Sequence, residues 1–255
     1  MFAFQETRTP VAVAFTDRHG GVSRGPYASL NLAARGEDHP DVVAENLSRV
    51  GRAFAYGAEA AHDQSLNPPP VVALHQVHGA DVHVVGPEHL NTSARQGPLV
   101  GDAMVTDVPG VVLMVRVADC VPVLLADVDR GVVGAAHAGR PGMVAGVVPS
   151  TVKAMRELGA ESVVAWVGPH VCGRCYEVPE SMRAEIAQVV PASYAETSWG
   201  TPAVDVGAGV RAQLVAEGAE LVDAARCTME DDDLFSYRRQ GKDSGRMAGL
   251  VWVRP

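Results

Sequence analysis

The sequence predicts an α+β fold, with mixed β-sheets and helices outside them, in a single domain spanning residues 1–255. Three observations predict it. Residues 110–137 hold three valine-rich runs, which read as strands covered on both faces. Separate segments carry apolar residues at three- and four-residue spacing, the mark of amphipathic helices. No internal repeat, low-complexity stretch or linker divides the chain, and the proline-rich loop at 67–70 falls too early to separate two equal domains.

Taken in order, Val11–Phe15 reads as a short apolar strand, followed by a polar, glycine-rich stretch from Thr16 to Ser23. Asp41–Phe54 reads as a helix, with Val43, Leu47, Val50 and Phe54 on one face and Asp38 and Asp41 near its positive end. Residues 61–70, with three successive prolines, form a loop. Val71–Leu74 and Val82–Val85 read as strands. Val111–Val117, Val121–Val128 and Val132–Ala136 follow, the last two joined by a tight turn at Asp129-Arg130-Gly131. Gly142–Leu158 reads as a helix, with Pro149 expected to kink it or delay its start. Val163–Val167 is a buried strand, Asp205–Gly218 a helix, and Leu250–Val253 a last short strand.

Composition narrows the function. Thirty acidic residues against 21 basic ones leave a net charge of -9, which repels a phosphate backbone, so nucleic acid is excluded as a partner. No segment approaches the roughly 20 apolar residues that span a bilayer, so no membrane is involved. Met1–Pro10 lacks a basic segment followed by an apolar run, and a cytoplasmic location is expected. There the four cysteines read as thiols or metal ligands rather than disulfides. The oligomeric state is not legible.

Three segments place a metal-ligand type near a strand end: His78 in Gln76-Val77-His78-Gly79, Cys120 in Ala118-Asp119-Cys120-Val121, and His137 in Ala135-Ala136-His137-Ala138-Gly139. Two imidazoles and a thiolate suit zinc, and three protein ligands leave a fourth position for water or substrate, as in catalytic sites. Small neighbours such as Gly79, Ala138 and Gly139 allow close approach. His75, three residues before His78, reads as structural. His170, Cys172 and Cys175 form a rival cluster, which reads as a tight glycine turn with two buried thiols because no second Cys-x-x-Cys pair closes it. Cys227, with no cysteine or histidine near it in sequence, reads as core. Arg18, in a loop of glycines and hydroxyls, can hold phosphate or carboxylate, or stand as a surface charge. Phe235-Ser236-Tyr237-Arg238-Arg239 reads as a substrate edge or a salt-bridged strand, and the acidic run 230–233 as a solvated loop.

Five segments in order carry a family resemblance. They are Phe15 to Ser23 with Gly25 to Leu32; Gln76 to Gly79; Ala118-Asp119-Cys120 with His137-Ala138-Gly139; Gly168-Pro169 leading to Cys175-Tyr176-Glu177-Val178; and Phe235 to Arg239 with Gly245 to Gly249. On these the chain resembles, over nearly its whole length, the YfiH-type or laccase-domain proteins. These were long labelled multicopper polyphenol oxidoreductases and are understood as zinc-dependent purine nucleoside phosphorylases. The resemblance implies stacked sheets flanked by helices, His78, Cys120 and His137 as zinc ligands, and Arg18 at the active site. It implies that phosphate splits adenosine, inosine, guanosine and methylthioadenosine into base and ribose 1-phosphate, with adenosine deamination as a side activity. Two departures stand out. Family members commonly read His-Ala-Gly-Trp-Arg-Gly, where this chain has His137-Ala138-Gly139-Arg140-Pro141-Gly142, so no role carries over to Arg140. Arg174 also stands where one of the family's paired cysteines would be.

Three other readings compete. Cys120 with His137 can act as a nucleophile–base pair without metal, in a cysteine hydrolase that edits peptidoglycan precursors. Copper-dependent polyphenol oxidation needs further histidine clusters that the nine histidines do not assemble. A metal-dependent binding protein without turnover fits least with an open ligand position.

Overall fold

The computed structural model describes residues 1–34, 36, 38–90 and 99–255. Its strands are β1 (Phe2–Arg8), β2 (Val11–Thr16), β3 (Val71–Ala73), β4 (Val82–Val84), β5 (Ala103–Thr106), β6 (Val112–Val117), β7 (Val121–Asp127), β8 (Val132–Ala138), β9 (Val164–Val167), β10 (Tyr194–Glu196), β11 (Pro202–Val204), β12 (Glu220–Asp223) and β13 (Met247–Val253). Its helices are α1 (Pro40–Tyr56), α2 (Arg140–Ala145), α3 (Val147–Glu157), α4 (Glu180–Val189), α5 (Val206–Ala216) and α6 (Tyr237–Gln240).

Two mixed sheets dominate. One runs in the order β1-β2-β13-β6-β3, the other β12-β9-β7-β8-β5-β4, and β10 and β11 form a small hairpin apart. The valine-rich strands are buried on both faces, one by the opposite sheet and the other by helices. Val13, Phe15, Leu113, Val115 and Val251 of the first sheet pack against Met104, Leu124, Val133, Ala135 and Trp166 of the second. The outer face of the first sheet is covered by α1, whose Val50 and Phe54 meet Ala14, Met114 and Trp252. The outer face of the second is covered by α3 and α5 through Val148, Val152, Val210 and Leu214. Each layer removes apolar area from water at about 25 cal/mol per Å².

Local chemistry sets the boundaries. Pro40 occupies the first helical position of α1, where its missing N–H is no loss, and Gly57 ends the helix at φ 101°. Asp205 caps α5 by accepting a bond from the Ala208 N–H at 2.7 Å. The expected break at Pro149 lies elsewhere. The segment divides at Gly146, which adopts φ 83°, and α2 begins at Arg140, ahead of the expected start. Pro149 sits in the first turn of α3, where its ring disturbs no helical bond.

Candidate metal centre and cavity

The site lies where the chain passes from one sheet to the other. β3 and β6 belong to the first sheet and β4 and β7 to the second, so the links 74–81 and 118–120 both cross between layers. His78 is on the first crossing and Cys120 on the second. His137 lies near the end of β8, opposite Pro122 of β7. The crossings demand unusual backbone: His78 has φ 62° and Asp119 φ 87°, a region that non-glycine residues seldom adopt. Side chains hold both turns. The Asp119 carboxylate accepts bonds from Thr228 Oγ1 and the Arg238 N–H, each at 2.6 Å. The Gln76 side chain bridges to β6, donating to the Arg116 carbonyl and accepting from the Arg116 N–H, both at 2.8 Å.

The ligand-type atoms of His78, Cys120 and His137 lie within 4.8 Å of one another. Cys120 Sγ is 3.7 Å from His78 Nε2, and the two imidazoles meet edge to face with centroids 4.8 Å apart. Burial alone would raise the Cys120 thiol, but His137 and His78 beside it bring it down to about 6. Burial likewise works against protonating His137, yet the Cys120 thiolate and Asp102 lift it to about 9. Each group thus favours the charged form of the other, thiolate beside imidazolium.

Asp102, at the head of β5, organises this arrangement, and the sequence gives little sign of it beyond an acid directly before an apolar strand. It is fully buried. Its Oδ1 lies 2.8 Å from His137 Nδ1 and accepts the His78 N–H at 2.9 Å, while Oδ2 accepts the N–H groups of Val77 at 3.2 Å and Gly79 at 2.6 Å. Burial would raise its pKa; the bonds from His137, Gly79 and Val77 hold it below the ordinary carboxylate value. One carboxylate thus fixes the His78 turn and ties up His137 Nδ1, which leaves Nε2 for a ligand. Asp102→Asn should lower metal affinity by about 10–100-fold, the usual cost of an altered orienting partner. A competitive chelator titration of the variant measures it.

A cavity of about 980 Å³ opens onto these residues. Arg116, Arg140, Arg238 and Arg246 line it, with Gln76, Tyr176 and Tyr237. The Arg238 guanidinium lies 4.7 Å from the Tyr176 ring centre, and that of Arg246 5.6 Å from the Tyr237 ring. Burial lowers Arg116 to about 10, leaving it charged at neutral pH. A space of this size with convergent cations and aromatic faces suits a small anionic or planar ligand.

Comparison with known proteins decides the family. Residues 12–254 match the family model described as multi-copper polyphenol oxidoreductase laccase. The chain belongs to this laccase family. It is 51% identical to a purine nucleoside phosphorylase of Streptomyces coelicolor, over 99% of this chain and 100% of that one. It is 38% identical to the purine nucleoside phosphorylase YfiH of Escherichia coli, over 95% and 94% of the two chains. YlmD from Geobacillus stearothermophilus superposes over the full length of both chains with a TM-score of 0.84 at 29% identity.

Arg18 is not among the residues lining the cavity. Its Nε donates to the Ala28 carbonyl at 2.8 Å, its Nη1 to the Asp232 carbonyl at 3.4 Å, and its guanidinium lies 4.6 Å from the Phe235 ring centre. Arg140, where the chain departs from the family pattern, is the first residue of α2 and does line the cavity. The 235–239 segment divides: Tyr237 and Arg238 face the cavity, while Arg239 bonds to the carbonyls of Met229, Asp231 and Leu234. His75 bridges to Val100 through its backbone and also lines the cavity.

The reading of the remaining cysteines needs correction. Cys227 is not an isolated core residue. It lies with Cys172, Cys175 and Glu230, all four ligand-type atoms within 4.8 Å of one another. His170 is not part of the group; its Nδ1 lies 2.7 Å from the Gly168 carbonyl. A contact between residues 52 apart in sequence, Cys175 and Cys227, leaves no trace in local spacing.

Proposed function

We propose that this chain is a purine nucleoside phosphorylase, cleaving purine nucleosides with phosphate to free base and ribose 1-phosphate. The observation that carries the proposal is the cluster of His78, Cys120 and His137 lining a cavity together with several arginines, in a chain 51% identical to a protein named for that activity. His78, Cys120 and His137 fit a zinc ion: the donors are two imidazoles and a thiol already poised as thiolate, and Asp102 fixes the tautomer of His137. Zinc, when bound there, supplies a Lewis acid with one open coordination position. Copper oxidation of the kind in the family's description fits less well. Among the described residues the second cluster of ligand types contains no histidine, whereas a multicopper centre needs several.

The chain's own residues divide the remaining work. Arg116 and Arg246, both half-buried, meet the phosphate charge and keep it as the glycosidic bond lengthens. Tyr176 and Tyr237 offer faces for a purine. Arg18 acts at one remove, holding the Ala28 and Asp232 segments beside Phe235. Adenosine deamination is proposed as a second activity of the same cavity. Product analysis with adenosine tests both. Adenine and ribose 1-phosphate should form only with phosphate present, and inosine without it. Base release that ignores phosphate would sink the phosphorylase reading.

The Cys120–His137 pair favours a second reading, a metal-free cysteine nucleophile with histidine as base. In metal-stripped protein the low Cys120 pKa makes thiolate accumulate as pH rises through about 6. Alkylation of Cys120 should therefore climb across that range and already be fast at pH 7. Zinc should suppress it. A rate that rises only near the ordinary thiol value of about 8.5 would contradict the geometry.

A further inference from the structure

We infer that Cys172, Cys175, Cys227 and Glu230 form a second zinc site, structural rather than catalytic, which braces the turn carrying Cys120. The four residues come from two turns of the same design. Cys172-x-x-Cys175 closes with the Cys175 N–H on the Cys172 carbonyl at 3.0 Å, and Cys227-x-x-Glu230 closes with the Glu230 N–H on the Cys227 carbonyl at 3.2 Å. A short parallel bridge sets the turns side by side: the His170 N–H bonds to the Arg226 carbonyl and the Thr228 N–H to the His170 carbonyl, each at 3.1 Å. Paired turns of this kind, each presenting a ligand at its first and fourth positions, are how chains build closed tetrahedral zinc sites.

The side chains agree. The Cys172 N–H points at Cys227 Sγ from 3.4 Å, the backbone-to-sulfur bond that stabilises a thiolate. The Cys175 thiol donates to Glu230 Oε1 at 3.5 Å. That proton is the one a cation would displace. All four ligand atoms lie within 4.8 Å of one another, and Zn–S bonds of about 2.3 Å would draw the sulfurs to about 3.8 Å apart, a closure that side-chain rotation supplies. Three thiolates and one carboxylate complete the tetrahedron and leave no open position. A disulfide would use two of the three sulfurs and strand the third beside Glu230.

The location gives the site its purpose. Val171, next to Cys172, donates its N–H to the Asp119 carbonyl at 3.0 Å, and Thr228, next to Cys227, donates its hydroxyl to Asp119 Oδ1 at 2.6 Å. Both turns therefore grip the residue before Cys120, which itself has φ 87°. A metal joining the turns would stiffen both struts at once.

Cys120→Ala protein tests this directly, because it breaks the first cluster and leaves the second intact. Reconstituted with zinc and desalted, it should retain about one zinc per chain against about two for the unaltered chain, one for each cluster of ligands. Loaded with cobalt(II), it should show thiolate-to-cobalt charge-transfer absorption, which Cys172→Ser, Cys175→Ser and Cys227→Ser together in the same background remove. Alkylation mapped by mass spectrometry should find Cys172, Cys175 and Cys227 protected by zinc and exposed by a chelator. A folded, fully reduced Cys120→Ala protein that binds neither zinc nor cobalt overturns the proposal. So do three thiols that react equally fast with and without zinc.

Discussion

His78→Ala and Cys120→Ala should each abolish phosphorolysis, with losses on the order of 10³-fold or more, beyond the 10²–10³ typical of deleting one transition-state hydrogen-bond donor. The expectation follows from the geometry. Each side chain is one of three ligand types gathered within 4.8 Å, and removing one leaves two donors for an ion that needs at least three from the protein. The two variants together separate the readings of the site. A nucleophile–base pair requires Cys120 and His137 but not His78. The metal reading therefore predicts that His78→Ala is as damaging as Cys120→Ala. The pair reading predicts that His78→Ala retains most activity. Steady-state assays of both, with metal content measured on the same samples, check it.

Gly139→Ala should be nearly as damaging while leaving the fold intact. Gly139 has φ −73° and ψ 167°, extended backbone that alanine adopts without strain, so the effect is steric alone. A Cβ at this position would stand 2.5 Å from His78 Cδ2 and 3.3 Å from Cys120 Sγ. The His78 ring must move, and displacement of a reacting group by about 1 Å costs about 10²-fold in rate. Activity should fall by that order, and zinc affinity should fall with it. The thermal unfolding midpoint should stay close to that of the unaltered chain. A large drop in the midpoint would show that Gly139 serves packing rather than the site. The same closeness gives a physical reason for a glycine two residues after His137.

Much of this was legible in the sequence, for reasons that differ by element. The valine-rich runs from 111 to 136 read as buried strands because the opposite sheet covers one face of β6, β7 and β8 and helices cover the other. The helix at 41–54 was visible through its apolar stripe, which α1 lays on Ala14 and Met114. By contrast α4 buries little beyond Ile186, so it has no stripe to detect. β5 is four residues long, and β1 sits at a sheet edge where burial is partial, and neither leaves a strong pattern. The helix breaks at Gly146 and not at the expected Pro149. Gly146 takes a left-handed conformation, while Pro149 is harmless in a first turn.

For the site, residue chemistry near strand ends picked out His78, Cys120 and His137. The sequence could not show that two of them ride on the crossings between sheets, which is what brings them to β8. Asp102 is silent in the sequence because a buried acid is recognised by its partners, and those are three backbone N–H groups 23 to 25 residues away and the imidazole of His137, 35 residues on. Cys227 reads as core in the sequence for a related reason: its cysteine neighbours come from a turn 52 to 55 residues earlier, set beside it by the bridge at His170. Arg18 attracted attention as a cation in a glycine-rich loop. In the fold its guanidinium is engaged by two carbonyls and an aromatic ring away from the cavity, whereas Arg116 and Arg246, held by the carbonyls of Leu32, Ser244 and Gly245, line it.

The most direct test of the account is to strip the protein with a chelator and return zinc stepwise while following phosphate-dependent release of adenine from adenosine. Work in a background carrying Cys172→Ser, Cys175→Ser and Cys227→Ser removes the thiols of the other cluster and leaves that of His78, Cys120 and His137. Activity should be lost on stripping and should return in proportion to added zinc, saturating at about one ion per chain, the stoichiometry of one three-ligand site. Full phosphorolysis by the stripped protein, with no response to zinc, would contradict the account.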